Sequence, residues 1–364
     1  MEDQDPPSTR LIPDLPDEIS VQIIARVPRS NHQTLCHVSR SWRLLLLGRL
    51  LFTLRSSLHC IEPTLYLHIR THTENFIWIS RWLVLNRGHS QFQSLPPPPN
   101  MVLGSAHVIA GPFLFSIGGS LSANGSNMVQ ILDLRIGGQW SLGPRMLSAR
   151  KSAAACFLDG HIYVIGGCLP SSEVWAESLN LFDENPQWVS IDSPVHLRSD
   201  FMYDGVVLSS RILAKSLVDP GVVAYDPSQN TGSCSTWAMV PEGLKLGWKR
   251  RSAVVNGILY THDFMFEIKG YDAGKDKWRP VMGIDIFPKF PNCVQLLNFH
   301  GVLCVIWLQS SIENNTSEMV ANWVGIGVTD LGSEGLHGSI LWREIVALGV
   351  PCDSSILHSV VAEF

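Results

Sequence analysis

The residues of this chain that are capable of chemistry do not form a recognisable catalytic motif. Thirteen histidines are scattered along the 364 residues. The sequence contains no Gly-x-Ser-x-Gly, no P-loop, no Gly-x-Gly-x-x-Gly and no His-Glu-x-x-His. His161 follows a glycine at an expected turn, where a surface or structural role is typical. We therefore predict no catalytic residue, no metal site and no cofactor.

Four aspartates recur at regular spacing and raise the question of carboxylate chemistry. They are Asp133, Asp183, Asp226 and Asp272. General acid–base catalysis would need two carboxylates brought together, whereas one carboxylate per repeat predicts a repeated turn. We interpret them as Asx-turn residues, whose side chains accept hydrogen bonds from nearby backbone N–H groups.

Residues 152–188 form the clearest unit of that repeat. The Asp-Gly pair at 159–160 favours a tight hairpin turn because it tolerates positive φ. The β-branched and aromatic run 162–165 is typical of a strand. It ends in a Gly-Gly pair at 166–167, where backbone can approach backbone closely. Two further strands follow, the last containing Trp188, so the unit is four short antiparallel strands.

The same pattern recurs along the chain. Five tryptophans, ending at Trp342, follow one another at intervals of 48, 49, 41 and 64 residues. The long final interval predicts an inserted loop at 309–319. The residues that we predict to be structural in the repeat are Gly118, Gly119, Trp140, Gly166, Gly167, Trp188, Trp237 and Trp278.

The Gly-Gly pair, the Tyr-Asp or Phe-Asp pair and the tryptophan resemble the kelch repeat. The resemblance implies a mainly β fold, a β-propeller in which each repeat is one four-stranded blade. The apolar segment 355–362 is a candidate strand that closes the first blade. We count six blades and leave five or seven open; the six lie near 64–99, 101–145, 150–192, 198–242, 250–285 and 293–346.

Three arginines stand just before the first strand of a predicted blade: Arg150, Arg198 and Arg250. Equivalent loops of successive blades meet at one mouth of a propeller, where loops on a fixed scaffold commonly bind partners. We therefore regard these arginines as candidate substrate-binding residues for an acidic partner. The alternative, that they cap strands or stay solvated, remains open. Further candidates for target recognition are the loops 120–127, 168–176 and 309–321.

The N-terminal part predicts helices instead of strands. Residues 1–9 are acidic and rich in proline, as expected of a disordered leader. Pro16 suits the first turn of a helix, and Pro28 ends it. Further helices are predicted near 32–38 and 41–51. Helices this short bury little surface on their own and are expected to dock on something larger.

The order of these features resembles the F-box, with Leu-Pro at 15–16, Val-Pro at 27–28 and Trp-Arg at 42–43. The resemblance implies a three-helix segment that binds the Skp-family adaptor of a cullin–RING ubiquitin ligase through apolar side chains. A plain helical cap packed on the propeller is the alternative. The matching positions are Leu11, Ile12, Pro13, Leu15, Pro16, Ile19, Ile23, Val27 and Pro28.

Composition and charge narrow the partners and the compartment. The formal charge of −5 disfavours broad electrostatic binding to nucleic acid or to an anionic membrane. None of the eight cysteines forms a Cys-x-x-Cys pair, which favours free thiols in a reducing compartment. The acidic N-terminus lacks an apolar signal core, so a cytoplasmic or nuclear location, or both, is expected. The basic run 249–251 is expected to be a solvated blade edge or turn.

The chain as a whole resembles a plant-type F-box/kelch-repeat protein, with a leader at 1–9, an F-box at 10–54, a linker at 55–63 and a propeller at 64–364. The resemblance implies a non-catalytic substrate receptor of an SCF-type (Skp–cullin–F-box) ubiquitin ligase that presents an unknown protein for ubiquitination and proteasomal degradation. Two alternatives stay open. One is a non-degradative interaction scaffold, and the other is a kelch propeller that binds a small ligand or acts as an enzyme.

Overall fold

Helices at the N-terminus and strands after them divide the chain into two parts, as the sequence predicts. The computed structural model describes residues 10–73, 75, 77–88, 91–100, 103–120, 124–135, 139–169, 171–193, 198, 202–216, 221–229, 237–287, 292–313 and 316–363. The predicted leader lies outside these residues.

The helical domain contains α1 Asp17–Ala25, α2 His32–Leu35, α3 Arg40–Leu47 and α4 Arg49–Ser57. Asp17 and Glu18 occupy the first turn of α1, where carboxylates favour the positive end of a helix. The predicted third helix is divided at Gly48, whose extended backbone (φ −77°, ψ 154°) separates α3 from α4. Glycine disfavours helix, which makes this the natural point for the break.

A small apolar core holds these helices together. Ser39 caps α3 by accepting a hydrogen bond from the Trp42 backbone N–H at 3.1 Å. The indole N–H of Trp42 donates to the Leu11 carbonyl at 2.6 Å, which ties the segment before α1 to the domain. The buried members of the core are Ile24, Ala25, Cys36, Leu46 and Leu51.

The strands follow in units of four. The first unit contains β1 Pro63–His72, β2 Trp78–Asn86, β3 Gln93–Ser94 and, from the C-terminus, β24 Ser355–Glu363. The second contains β4 Ala106–Ala110, β5 Phe113–Ile117, β6 Val129–Asp133 and β7 Trp140–Leu142. The third contains β8 Ala154–Leu158, β9 His161–Ile165, β10 Ala176–Asn180 and β11 Trp188–Ile191. The fourth contains β12 Met202–Leu208, β13 Arg211–Ser216, β14 Val222–Tyr225 and β15 Trp237–Met239.

A short helix, α5 Glu242–Gly247, leads into the last two units. The fifth contains β16 Ala253–Val255, β17 Ile258–His262, β18 Ile268–Asp272 and β19 Lys277–Met282. The sixth contains β20 Asn292–Phe299, β21 Val302–Glu313, β22 Thr316–Asp330 and β23 Leu336–Pro351. Short 3-10 turns lie at Arg29–Asn31, Pro227–Gln229 and Gly332–Glu334.

The units form a closed, propeller-like ring. Hydrogen bonding gives four sheets of four strands and one of eight among the described residues. In the eight-stranded sheet the outer strands β19 and β23 pair in parallel, so this sheet is the fifth and sixth units joined. The innermost strands contact one another in the order β24, β4, β8, β12, β16 and β20, and β20 returns to β24. Hydrophobic clusters lie largely between neighbouring units, as where Val129 of the second packs with Val164 of the third.

The last strand of the chain is the innermost strand of the first unit. β24 runs antiparallel to β1, with Thr64 opposite Ala362 and Leu67 opposite Ser359. This pairing covers edges that an open ring would expose. The N-terminal and C-terminal ends of the strand region are therefore joined in one sheet.

The prediction of an inserted loop at 309–319 is wrong for the described part of that segment. β21 and β22 continue as one antiparallel ladder that reaches Glu313 opposite Thr316. Polar side chains favoured a loop, but cross-strand pairing satisfies backbone N–H and C=O groups whatever the side chains are. The long final tryptophan interval thus reflects longer strands. The candidate loop 309–321 likewise lies in β21 and β22, with 314–315 outside the described residues.

Candidate functional site

The Gly-Gly pairs occupy backbone conformations that other residues disfavour. Gly118, Gly119, Gly166 and Gly167 have φ values of 65°, 82°, 69° and 70°. A Cβ atom at Gly118 would lie 2.6 Å from the Arg150 carbonyl oxygen. The glycines therefore let the end of a second strand pass against the segment that enters an innermost strand.

Four of the five repeat tryptophans, those at 140, 188, 237 and 278, make the same kind of hydrogen bond. Each indole N–H donates to a backbone carbonyl in the connection that enters its own unit, and this fastens the outermost strand to that connection. The pairs are Trp140 with Pro96 at 2.8 Å, Trp188 with Pro144 at 2.9 Å, Trp237 with Asp192 at 2.7 Å and Trp278 with Gly243 at 2.9 Å.

The turn role predicted for the recurring aspartates is confirmed for three of them. Asp133, Asp226 and Asp272 each accept a hydrogen bond from the backbone N–H two residues on, at 3.0–3.1 Å. In the third unit this acceptor is Asn180, which takes the Phe182 N–H, while Asp183 accepts from the Asn180 side chain.

Arg150 is one of the three candidate substrate-binding arginines, and the structure places its side chain in the interior. Arg150 and Glu177 are both 0% exposed, and they form an ion pair at 2.8 Å. The guanidinium also donates to the carbonyls of Gly166, Trp175 and Val174 at 2.7–3.1 Å. Arg150 therefore has no side-chain surface to offer a partner, and its role is to bind the Gly-Gly turn to its neighbours.

The other two candidate arginines lie in the connections that precede β12 and β16. Arg198 reaches the carbonyls of Ser172 and Ser193 at 3.4 Å and 3.3 Å. Arg250 places its guanidinium 4.6 Å from the centre of the exposed Phe264 ring, a cation–π arrangement. These contacts do not bring Arg198 and Arg250 together with Arg150 as one group.

The first helix buries one of its isoleucines and presents two others to solvent. Ile24 is fully buried, whereas Ile19 and Ile23 are each 45% exposed. Of the other positions matched to the F-box, Leu11, Ile12, Leu15 and Val27 are half-buried, and Pro13, Pro16 and Pro28 are exposed. The helix thus packs on one side and leaves isoleucines uncovered on the other.

Sequence reasoning missed three exposed apolar residues of the helical domain: Val38, Leu44 and Leu50. The helical period through Trp42, Leu45 and Leu46 accounts for the packed side of α3. Leu44 does not follow this helical period. An apolar residue on the polar side of a short helix is the sequence feature that could have predicted its exposure.

The helical domain is fastened to the propeller by Arg29. Its guanidinium donates to Thr64 Oγ1 at 3.3 Å and to the Tyr66 hydroxyl at 3.0 Å, and it also reaches the Leu134 carbonyl. In return, Arg135 of the second unit donates to the Leu47 carbonyl. The contacts lie at the end of the propeller opposite the Gly-Gly pairs, because Thr64 begins β1 and Leu134 follows the end of β6.

A second arginine joins the helices to the linker. Arg55 is 2% exposed and donates to the Ala25 and Val27 carbonyls at 2.7 Å and 2.9 Å. Its other donors reach the Cys60 carbonyl at 2.6 Å and Glu62 Oε1 at 2.9 Å. Glu62 also accepts the Arg29 backbone N–H at 3.2 Å. Arg55 therefore holds α4, the end of α1 and the linker in one arrangement.

The end of the propeller that lies opposite the helical domain contains a cavity of about 380 Å³, which we term the channel mouth. Residues from all six innermost strands or from the segments leading into them line it. The polar lining residues include His107, Asp204, Arg251, Gln295 and His358. Arg251 belongs to the basic run 249–251, which we expected to be a solvated blade edge or turn. In the structure it lines the cavity instead.

Three histidines from distant segments meet beside the channel mouth. The ring centres of His68 and His107 lie 5.0 Å apart, and those of His107 and His358 lie 5.1 Å apart. His68 stacks on Trp82 with ring centres 4.7 Å apart. Burial lowers the pKa of His68 to about 4 and also lowers the pKa of His107 and His358 well below the ordinary value. The imidazoles are therefore neutral at pH 7.

We expect the free energy of unfolding to fall by on the order of 2 kcal/mol between pH 7 and pH 5 from His68 alone. The pKa of His68 is about 4 in the fold and 6.5 when unfolded, so at pH 5 only the unfolded chain carries this proton. Protonation thus stabilises the unfolded state. Urea unfolding at the two pH values measures the difference.

A His68→Phe variant keeps an aromatic ring for the stack on Trp82 but does not titrate, so it should lose this part of the pH dependence. His300→Gln, at an exposed position, is the control and should retain it. An unchanged pH dependence in His68→Phe would show that His68 does not cause the effect.

Within the described ranges, no group of three or more histidine, cysteine, aspartate or glutamate side chains is arranged to hold a metal ion. Among the helices that the structure describes, none has the length and apolar character needed to cross a membrane.

Comparison with protein families matches both parts of the chain. The family model for the F-box domain matches residues 12–53, and that for the FKB95 kelch-repeats domain matches residues 80–347. An F-box together with kelch repeats supports an SCF substrate-adaptor role in general, with the F-box as the element that binds a Skp-type adaptor.

Similar proteins come from Arabidopsis thaliana. F-box/kelch-repeat protein At2g29830 is 30% identical over 360 residues, which cover 92% of this chain and 87% of the relative. Putative F-box/kelch-repeat protein At2g29820 is 32% identical over 302 residues, which cover 80% and 75%. F-box/kelch-repeat protein At4g39550 is 27% identical over 385 residues, which cover 97% and 94%. With helical domain, strand ring and both family matches in agreement, this chain belongs to the F-box/kelch-repeat family.

Proposed function

We propose that this protein is the substrate-recognition subunit of an SCF-type ubiquitin ligase. In this proposal the helical domain binds a Skp-family adaptor, and through it a cullin–RING ligase. The propeller binds a target protein for ubiquitination and proteasomal degradation. The chain itself performs no bond-making step, and it acts in the cytoplasm, the nucleus or both.

The observation that carries the proposal is the solvent-facing apolar side of α1. Ile19 and Ile23 remain 45% exposed although the helix buries Ile24 on its other side. Exposed apolar residues on a packed domain are typical of a protein interface. They lie at positions that match the F-box, so an adaptor is the partner that they fit.

The placement of the two parts supports a tethering mechanism. Arg29 fixes the helical domain at one end of the propeller, while the channel mouth and the Gly-Gly loops lie at the other. A target held at the far end stays at a fixed distance from the adaptor. Tethering raises the effective concentration of target lysines near the ubiquitin-carrying enzyme.

Adaptor binding is expected to weaken by about 100-fold or more in an Ile19→Asp/Ile23→Asp variant. Burying one isoleucine contributes roughly 1.5–3 kcal/mol, and the new carboxylates would have to be desolvated as well. Affinity of the purified chain for a Skp-family adaptor, measured by calorimetry, tests this.

The matched control is Leu142→Asp/Val189→Asp, which changes two exposed apolar residues on outer strands of the propeller. It should bind the adaptor as the unmodified chain does. Equal affinity of both variants would place the interface elsewhere, and absence of binding by the unmodified chain would refute the proposal. Accumulation of a bound target after proteasome inhibition separates degradation from a scaffold role.

A further inference from the structure

The second strand of the first unit has an uncovered outer side near its beginning. β2 pairs with β1 along its whole length. On the other side of β2, β3 covers Leu83 and Val84, and among the described residues no strand pairs with the outer side of Trp78–Arg81. We term this stretch the open edge. It lies toward the channel mouth, because β1 begins beside the helical domain at Thr64 and β2 runs back in the opposite direction.

The alternation of the sheet identifies the backbone groups that face outward at the open edge. The Trp82 carbonyl points outward, since it accepts the Leu95 N–H at 2.9 Å. Residues two positions apart on an antiparallel strand present their N–H and C=O groups to the same side. Ser80 and Trp78 therefore point theirs outward, where no described residue pairs with them. The chain after Leu95 cannot extend the ladder, because it continues as four prolines, which have no N–H.

A groove of about 450 Å³ lies between the open edge and this run of prolines. In the register of β2 and β3, Leu95 comes opposite Trp82 and so shares a face of the sheet with Ser80. The groove therefore has an apolar side next to the outward backbone groups of Ser80. Its lining residues are 79–81 of β2 together with Ser94, Leu95, Pro97 and Pro98.

The proline wall of the groove is fixed at both ends. At one end the Pro96 carbonyl accepts the Trp140 indole N–H at 2.8 Å. At the other end Asn100 exchanges two hydrogen bonds with the Gln130 side chain, each of 3.2 Å. Proline is itself conformationally restricted. The groove is therefore formed before any partner arrives, which lowers the entropic cost of binding.

The charged side chains of the open edge are cationic. Arg81 is exposed, and its guanidinium makes no ion pair with the described residues. The Arg70 guanidinium lies 4.0 Å from the centre of the Trp78 ring, which is 41% exposed, and its Nε is buried without a hydrogen-bond partner in the described part of the chain. The open edge thus presents two positive charges that no described carboxylate neutralises, and an acidic partner complements them.

We propose that the open edge binds an extended acidic segment of a partner protein, which adds a strand beside Trp78–Arg81. In strand addition, backbone hydrogen bonds supply affinity and alternate side chains supply specificity. Residues directly opposite each other on paired strands share a face. The residue opposite Ser80 therefore enters the groove against Leu95 and the prolines, whereas the residue opposite Arg81 faces its guanidinium. A segment that alternates apolar and acidic residues satisfies both faces, and this inference does not depend on adaptor binding.

The experiment titrates the full chain with the blocked peptide acetyl-Val-Glu-Val-Glu-Val-Glu-Val-amide, by calorimetry at low salt. We expect this peptide to bind. An analogue that is methylated on its valine nitrogens lacks the N–H groups that would pair with β2, and it should bind at least about 10-fold more weakly. A peptide with lysine in place of glutamate should bind at least about 5-fold more weakly, because like charges would then face each other across the strands.

Two variants test the position of the site. Ser80→Pro removes the outward N–H, and proline is tolerated on an edge strand where its nitrogen faces away from the neighbouring strand. This change should weaken peptide binding by about 10-fold or more, whereas Ser80→Ala, which keeps the N–H, should alter it less than about 2-fold. Arg81→Gln leaves the backbone unchanged and should weaken binding by about 3-fold or more. Unchanged circular dichroism confirms that each variant is folded.

The inference is overturned if the peptide does not bind up to about 10 mM, where even millimolar affinity is visible. It is also overturned if Arg81→Gln and a folded Ser80→Pro both bind the peptide as the unmodified chain does. Equal binding of the methylated analogue would exclude strand addition, and equal binding of the lysine peptide would exclude a preference for acidic segments. Weaker binding in all four comparisons supports the proposed site.

Discussion

Replacement of Arg150 by alanine is expected to destabilise the propeller by about 3–5 kcal/mol, the cost of breaking a buried ion pair by removing one partner. Both Arg150 and Glu177 are 0% exposed, so Glu177 would keep a buried charge without its cation. The carbonyls of Gly166, Trp175 and Val174 would also lose a donor. Urea or thermal unfolding followed by tryptophan fluorescence measures the loss.

The control for this prediction is Arg211→Ala. Arg211 pairs with Asp226 at 3.2 Å but is 57% exposed, and exposed ion pairs contribute only about 0–1 kcal/mol. If Arg150→Ala unfolds at the same urea concentration as Arg211→Ala, the interior role assigned to Arg150 is wrong. Arg150→Lys should recover only part of the loss, because a lysine cannot reach all four acceptors at once.

Replacement of Arg55 by alanine is expected to unfold the helical domain selectively, at a cost of about 3 kcal/mol or more. Three carbonyls and Glu62 share this one buried guanidinium. Because the domain has a small core, this loss is large relative to its stability. Hydrogen exchange of residues 17–57 compared with the propeller strands measures it.

Arg26→Ala is the matched control for Arg55→Ala. Arg26 is exposed, and its guanidinium donates to the Gln22 carbonyl at 2.9 Å in the last turn of α1, so its loss should alter exchange little. Faster exchange throughout the propeller in Arg55→Ala would show that the effect is not confined to the helices. Unchanged exchange in α1 and α4 would contradict the role given to Arg55.

The repeat pattern was readable from sequence because it rests on local chemistry. The positive φ values at 118 and 167 require glycine, and Trp140 and Trp188 stand on outer strands that pair with the strand just before them in the chain. The aspartate turns were predictable for the same reason, since the acceptor and the N–H lie two residues apart. The match to the F-box/kelch-repeat family depends on local patterns of the same kind.

Which candidate residues are exposed could not be predicted from sequence, because their burial depends on contacts between distant segments. Arg150 looked like a loop arginine, yet the turn of its own unit surrounds it. Ile19 and Ile24 belong to one apolar stripe in sequence, but only packing against Leu46 and Leu51 decides which of them is buried.

Sequence alone therefore determined the repeat, the turns and the helical N-terminus of this protein, because each follows from the φ preferences, strand propensities and spacing of neighbouring residues. The tertiary structure decided which polar side chains face the channel mouth. His107, Arg251 and His358 come from three separate segments, and only closure of the ring through β24 brings them together. Burial and pKa depend on what packs around a residue, and that is a property of the closed fold.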